Sequence, residues 1–110
     1  MSEQAKYRVL VSGGARNMLF EHARFLAQVS IKAGEALFDQ FEQKVISLEE
    51  MPERCAFYDN PYVRFGKYRR LPLGDHLLIL FQIEEDKVII ELIIDARAEN
   101  KYLPGVNKND

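Results

Sequence analysis

The 110-residue chain is long enough for one domain and leaves no room for a second hydrophobic core. Hydrophobic residues make up 47% and charged residues 29% of it, a globular balance that excludes an intrinsically disordered protein. The single cysteine excludes an internal disulfide framework, and the net charge of −2 weighs against nucleic acid as the main partner.

The charge is divided unevenly along the chain. Residues 53–70 contain five basic and two acidic side chains, whereas residues 75–99 contain two basic and seven acidic ones. The first segment therefore has a local charge of +3 and the second a local charge of −5. The sequence has a basic patch but lacks the overall field that a protein needs to grip a nucleic-acid backbone.

Two features bear on location. The opening residues, Met1 to Lys6, are polar and lack the apolar stretch of a signal peptide. The longest apolar run, Leu77 to Phe81, has five residues and is too short to span a membrane. We therefore expect a cytoplasmic protein with no membrane partner.

The first half of the chain has the pattern of a strand followed by two helices. Residues 7–11 are β-branched and aromatic, which predicts a strand. Apolar residues at helical spacing predict one helix over residues 15–29 and a second from Ser30, which can cap it, to about Glu50. Pro52 ends the second helix because it lacks an N–H group. Since the link is so short, the two helices should form an antiparallel hairpin.

The second half of the chain predicts a loop and three strands. The loop covers residues 53–66, and the strands are expected over residues 68–73, 76–83 and 87–96 with short turns between them. Their consecutive apolar residues are typical of strands that lie centrally in a sheet or are covered on both faces.

Together these elements predict an α+β fold with the order β-α-α-β-β-β. It consists of an N-terminal strand, an antiparallel helical hairpin and a three-stranded antiparallel meander. The first strand is expected to join the meander, with the hairpin packed over one face of the sheet. We expect a single domain over residues 1–103 and a flexible tail over residues 104–110, which are mostly polar.

Residues that could bind a metal or attack a substrate are few and scattered. His22, His76 and Cys55 lack ligand spacing, so no metal or other cofactor is expected. Cys55 is interpreted as a small, partly buried side chain rather than a catalytic thiol, since both histidines lie in unrelated contexts. Gly13-Gly14 is an isolated pair, better explained as a strand-to-helix turn than as a phosphate-binding loop.

Five segments stand out in order along the chain: Tyr7–Ser12, Ser47–Pro52, Lys67–Leu71, Gly74–Ile83 and Val88–Arg97. In order and spacing they are similar to the opening strand, the helix end and the three closing strands of the RelE/ParE toxin superfamily. The resemblance covers about residues 6–103 and implies the same fold as the residue patterns do.

The resemblance implies the toxin of a type II toxin–antitoxin, or plasmid stabilisation, module. Such a toxin inhibits growth and is neutralised by a cognate antitoxin, which lays a helix or an extended segment across the sheet and the helical hairpin. The residues agree with this implication, because a single helical layer on a very apolar sheet should leave an exposed patch for a partner.

One branch of the superfamily, the RelE-like toxins, cuts messenger RNA on the ribosome without a metal. Cleavage through the 2′-hydroxyl needs a base, an acid and cations around the phosphate. The resemblance gives these catalytic roles to Arg69 on the second strand, Arg97 after the fourth and Tyr102 in the tail. The family's third-strand arginine falls on Leu78, for which only His76 could substitute.

The other branch, the ParE-like toxins, binds a target such as DNA gyrase and is not a nuclease. The incomplete catalytic set and the acidic pI of 5.7 favour this branch, and so favour a non-enzymatic toxin over a metal-independent endoribonuclease. Its target-binding residues are expected to be Arg70, His76, Arg97, Lys101 and Tyr102. A degenerate homologue or binding module without toxicity stays open as a third interpretation.

Several of these residues also have purely structural interpretations. Arg69 and Arg70 should point to opposite faces of a strand, so only one of them can face a given site. Arg97 could pair with a neighbouring acid such as Asp95. The aromatic residues of the 53–66 loop could stack nucleobases, but packing against the sheet explains them better.

Overall fold

A computed structural model describes residues 6–97. In chain order the elements are β1 Arg8–Val11, α1 Gly13–Ala27, α2 Ile31–Ser47, a 3-10 helix Pro52–Arg54, β2 Arg69–Leu73, β3 Leu77–Glu84 and β4 Lys87–Asp95. The predicted α+β fold is confirmed, and the last three strands lie within one residue of their predicted bounds. The predictions for Lys101, for Tyr102 and for the tail over residues 104–110 lie outside the described residues.

The four strands form one mixed sheet in the order β1-β4-β3-β2. β2, β3 and β4 are the antiparallel meander that the sequence predicts. β1 joins the other side of β4 and runs parallel to it, with Arg8 opposite Lys87 and Val11 opposite Ile90. Parallel neighbours need a long connection, and here every other element of the fold lies between them.

A bulge interrupts β4. The register shifts between Leu80 and Phe81 of β3, which leaves Glu91 without a partner across the ladder. The Glu91 carboxylate instead accepts hydrogen bonds from the Tyr68 hydroxyl at 3.1 Å and from the Gln82 side-chain amide at 2.8 Å. The one acidic residue within the apolar run of β4 is thus satisfied by polar groups from β3 and from the residue that precedes β2.

Serine side chains cap both helices. The Ser12 Oγ accepts a hydrogen bond from the Ala15 backbone N–H at 3.0 Å, and the Ser30 Oγ accepts one from Ala33 at 3.1 Å. The cap at Ser30 is the predicted one. The start of α1 was expected at Ala15, but the helix begins at Gly13, so the two glycines form its first turn rather than a separate one. Because glycine has a low helix propensity, the residue pattern does not predict a helix that begins with two glycines.

The second helix ends at Ser47 rather than at about Glu50. The Arg54 guanidinium closes this end, because its Nη1 donates to the carbonyl oxygens of Ser47, Glu50 and Met51 at 3.2, 2.9 and 3.2 Å. Pro52 begins the 3-10 helix. Among the described residues, 6–97, neither α1 nor α2 has the length and apolarity to cross a membrane.

The two helices approach each other closely at Gly34. A Cβ atom there would lie 2.8 Å from the Ala23 carbonyl oxygen and 3.1 Å from the Ala27 Cβ. Any larger residue would push the helices apart, so Gly34 fixes the geometry of the predicted hairpin.

The sheet is covered on both faces. The helical hairpin covers one face, where the larger core includes Leu19, Leu37, Ile79, Phe81 and Ile93. The loop that follows the 3-10 helix covers part of the other face, where a smaller core contains Tyr58, Tyr68, Leu80, Leu92 and Ile94. Coverage of this kind explains why β3 and β4 are apolar at consecutive positions.

Candidate functional site

The turn between β2 and β3 lies beside the end of β4. Leu77, at the start of β3, is opposite Asp95. The Ala96 backbone N–H donates to the carbonyl oxygen of His76 at 2.7 Å. Two of the residues proposed from the sequence, His76 and Arg97, are therefore brought to the same end of the sheet.

The helices turn this end of the sheet into a groove, here called the hairpin groove. It has a volume of about 280 Å³, and its walls include His22, Phe25, Leu37, His76, Asp95 and Arg97. Phe25 is 67% exposed, and Val29 and Ile31 at the tip of the hairpin are 90% and 68% exposed. Large apolar side chains in water at one place on a surface are typical of a site that binds a protein partner.

Asp95 and Arg97 form a two-pronged ion pair at the rim of the groove. The Arg97 Nη2 lies 2.8 Å from Asp95 Oδ2, the Nε lies 3.1 Å from Oδ1, and the Arg97 backbone N–H also donates to Oδ1 at 2.8 Å. These hydrogen bonds lower the pKa of Asp95 to about 2, and His76 adds a smaller electrostatic contribution. The same contact raises the pKa of Arg97. The Arg97 guanidinium is thus held in place by its ion pair with Asp95, as the structural interpretation of this residue predicts.

Side chains of α1 cover the part of β4 that β1 does not reach. β1 pairs with β4 only as far as Ile90. Beyond it, the Ile93 backbone N–H donates to the Met18 sulfur at 3.4 Å, and His22 Nε2 lies 3.0 Å from the Ile93 carbonyl oxygen. His22 therefore has a structural contact and also lines the groove. The sequence did not single it out for this role, although Met18, His22 and Phe25 follow the i, i+4, i+7 spacing of one helical face.

Arg69 lies at the other end of the sheet, where its guanidinium contacts the loop after the 3-10 helix. Its Nη1 donates to the carbonyl oxygens of Glu53 at 3.1 Å and Cys55 at 2.7 Å. Its guanidinium carbon lies 4.1 Å from the centre of the Phe57 ring. Arg69 thus fastens the loop after the 3-10 helix to the edge of β2.

The strand register separates Arg69 from Arg97. Arg69 is opposite Phe81, whereas Leu73, at the other end of β2, is opposite Leu77 and so level with the end of β4. Four residues of strand correspond to about 13 Å. The structure therefore does not bring Arg69 and Arg97 together. Arg70, an exposed residue, lies with Arg69 at the far end from His76.

The cysteine and the histidines show no arrangement for catalysis or metal binding. Cys55 is buried, and burial raises the pKa of its thiol, which keeps it protonated and unreactive. Among residues 6–97, no three His, Cys, Asp or Glu side chains are grouped so that they could hold a metal ion.

Comparison with known proteins places this fold in a family. Residues 9–100 match the family model described as the ParE toxin of the type II toxin–antitoxin system parDE. The chain belongs to this family, and the resemblance to the RelE/ParE superfamily is confirmed.

A solved structure supports the assignment at the level of the fold. The chain is similar to a chain of the chromosomal ParDE toxin–antitoxin system from P. aeruginosa, with a TM-score of 0.62 and 12% sequence identity. The match covers 84% of this chain and 98% of that one. No curated protein sequence matches the chain.

Proposed function

We propose that this member of the ParE toxin family is the toxin of a type II pair, inhibited by a cognate antitoxin that occupies the hairpin groove. We further propose that it arrests growth by binding a target such as DNA gyrase, without cutting nucleic acid. The observation that carries the proposal is the family match, which spans residues 9–100. The similar fold from a ParDE toxin–antitoxin system supports an antitoxin as the partner.

The hairpin groove suits an apolar segment of an antitoxin. Phe25 lines the groove and is 67% exposed, and the exposed Val29 and Ile31 extend this apolar surface at the tip of the hairpin. Aromatic anchors in such pockets commonly dominate the energy of an interface. His76 and the Asp95–Arg97 pair would form the polar rim around that contact.

The positions of the candidate catalytic residues favour binding over cleavage. A ribonuclease site must place its cations around one phosphate. Arg69 is instead bound to two backbone carbonyls at the far end of the sheet, and Arg97 is paired with Asp95. Leu78, which stands in place of the family's third-strand arginine, packs against the smaller core.

The candidate target-binding residues divide into two groups. His76 and Arg97 lie at the hairpin groove, and Lys101 and Tyr102 follow Arg97 closely in the chain. We propose that these four contribute to target binding. Arg70 lies at the other end of the sheet and belongs to a different surface.

The purified protein should inhibit DNA supercoiling by gyrase and leave translation in a cell-free system unaffected. Adding the antitoxin encoded beside it should restore supercoiling. Loss of translation with messenger RNA cut at codons would instead support the RelE-like ribonuclease. Unaffected growth of cells that express the protein alone would support a homologue without toxicity.

A further inference from the structure

A second surface lies in the loop between the 3-10 helix and β2. Of the five aromatic residues in this loop, Tyr58 and Tyr68 are buried, each at 3% exposure. Phe57, Tyr62 and Phe65 are 38%, 54% and 66% exposed. Packing against the sheet therefore explains Tyr58 and Tyr68, but it does not explain why three more large rings occur within nine residues.

Basic side chains alternate with these rings. Arg64 and Lys67 are exposed, and neither has an ion-pair partner among residues 6–97. Arg69 stacks on Phe57, which in turn meets the Phe65 ring edge-on at 5.5 Å between ring centres. We call this set the aromatic–basic surface: Phe57, Tyr62, Arg64, Phe65, Lys67 and Arg69.

A shallow slot opens within the aromatic–basic surface. It has a volume of about 200 Å³ and is lined by Tyr62, Val63, Arg64, Lys67 and Tyr68. The Lys67 ammonium lies 5.3 Å from the centre of the Tyr68 ring. Tyr62, the exposed ring of the slot, provides a stacking face for a base, and Arg64 and Lys67 provide charges for the adjoining phosphates.

We propose that the aromatic–basic surface binds a single-stranded polynucleotide. Bases stack on Tyr62 and Phe65, and the phosphates lie near Arg64 and Lys67. The segment that forms the surface, residues 53–70, has a local charge of +3, although the whole chain has a net charge of −2. An acidic peptide could pair with the cations, but it offers a flat ring only where it carries an aromatic residue, whereas every nucleotide offers one, so a polynucleotide fits better. The surface is separate from the hairpin groove, and the proposal does not depend on the antitoxin or on gyrase.

The test is a titration of the full-length protein into fluorescein-labelled oligothymidylate or oligouridylate of about twelve nucleotides, read by fluorescence anisotropy. Binding to either strand supports the proposal, and the ratio of the two affinities shows whether the 2′-hydroxyl contributes. With two cations, Arg64 and Lys67, at phosphates, the logarithm of the binding constant should fall with the logarithm of the salt concentration with a slope of about −1.4.

Single substitutions locate the binding site. Tyr62→Ala should weaken binding about 5- to 100-fold, the effect of losing one stacked base. Phe65→Ala should have a smaller effect in the same direction, and Arg64→Ala should reduce the salt slope by about 0.7. The controls, Phe20→Ala and Arg24→Ala, remove an exposed ring and an exposed cation from α1. They should leave the affinity unchanged.

Two results would overturn the proposal. One is that the loop variants and the α1 controls bind the oligonucleotides equally well, provided that circular dichroism shows all of them folded. The other is that neither strand binds while a labelled acidic peptide of alternating Glu and Phe does. That result would assign the surface to a protein partner.

Discussion

The two ends of the sheet present opposite kinds of surface. At the hairpin groove Arg97 is paired with Asp95, and the exposed ring of Phe25 lies beside the exposed polar residues Asp75 and His76. At the aromatic–basic surface, Arg64 and Lys67 have no ion-pair partner within residues 6–97, and the exposed rings lie between cations. We expect the partner of the first surface to offer apolar side chains and the partner of the second to be anionic. Under our two proposals, the domain binds two different molecules at separate surfaces.

The two edges of the sheet differ in a related way. At the β2 edge, the Arg70 backbone N–H donates to the Ala56 carbonyl oxygen at 3.0 Å, and the next residue that turns outward is Pro72, which has no N–H. At the opposite edge, where β1 no longer pairs with β4, side chains of α1 contact the Ile93 backbone. Proline blocks the addition of a strand permanently, whereas side chains can move aside. The part of β4 beyond Ile90 is thus a more adaptable edge than β2.

The largest expected effect is on antitoxin binding. Phe25→Ala removes an aromatic anchor from the hairpin groove and should weaken antitoxin binding by about 2 kcal/mol, or about 30-fold. Isothermal titration calorimetry with the antitoxin measures this. The matched control is Phe20→Ala, because Phe20 is also an exposed ring on α1 but packs on Phe38 at 5.3 Å between ring centres. Equal losses in the two variants would show that the antitoxin does not use the groove.

The adjacent arginines of β2 test whether Arg69 is structural. Arg69→Ala removes two hydrogen bonds to backbone carbonyls and the stack on Phe57, and it should lower the free energy of unfolding by about 2 kcal/mol. Arg70→Ala should change it by less than about 0.5 kcal/mol, since Arg70 is exposed. Urea unfolding followed by circular dichroism gives both values. Loss of toxicity from Arg69→Ala without loss of stability would restore the catalytic interpretation.

Alkaline pH should lower the free energy of unfolding through Tyr68, the residue that precedes β2. Burial first, and then the charge and hydrogen bond of Glu91, raise the pKa of Tyr68 from 10.0 to about 12 in the folded protein. Because the folded state holds this proton more tightly, the stabilisation is complete below pH 10 and is lost as the pH rises toward 12. Over that range wild type should lose about 1–2 kcal/mol more unfolding free energy than Tyr68→Phe. Parallel curves for the two proteins would contradict this.

Acid should lower the free energy of unfolding by a smaller amount, through Asp95 at the hairpin groove. The pKa of Asp95 is lowered from 3.8 to about 2, so its contribution is present above pH 4 and is lost as the pH falls toward 2. Since the pair with Arg97 lies at the surface, the loss should be at most about 1 kcal/mol. In urea titrations across this pH range, Asp95→Asn should abolish this loss of unfolding free energy. A variant that keeps the full acid sensitivity of wild type would place the titrating group elsewhere.

Local patterns in the sequence predicted most of the fold. Alternating and consecutive apolar residues located the strands, helical spacing located both helices, and Ser30 was recognised as a cap because capping depends on neighbouring residues alone. The parallel pairing of β1 with β4 could not be predicted in this way. It joins residues about 80 positions apart, and nothing local specifies the direction of such a pair.

The candidate site was less predictable than the fold. The sequence placed His76 and Arg97 near strand ends, but only the register of β3 and β4 shows that they lie at the same end of the sheet. Arg69 matched a catalytic position by residue type. The direction of its side chain, however, is set by hydrogen bonds to the carbonyl oxygens of Glu53 and Cys55, which the sequence predicted only as part of a loop. His22 was considered from the sequence only as a metal ligand, because its contact with the Ile93 carbonyl oxygen depends on how α1 packs on β4.

Hydrogen exchange of the toxin, alone and with its antitoxin, tests most directly whether the two ends serve different partners. Protection on antitoxin binding should appear in the second half of α1, the first half of α2 and the turn between β2 and β3. The loop over residues 56–67 should exchange as it does in the free protein. Protection confined to that loop, with the hairpin groove unchanged, would contradict the account.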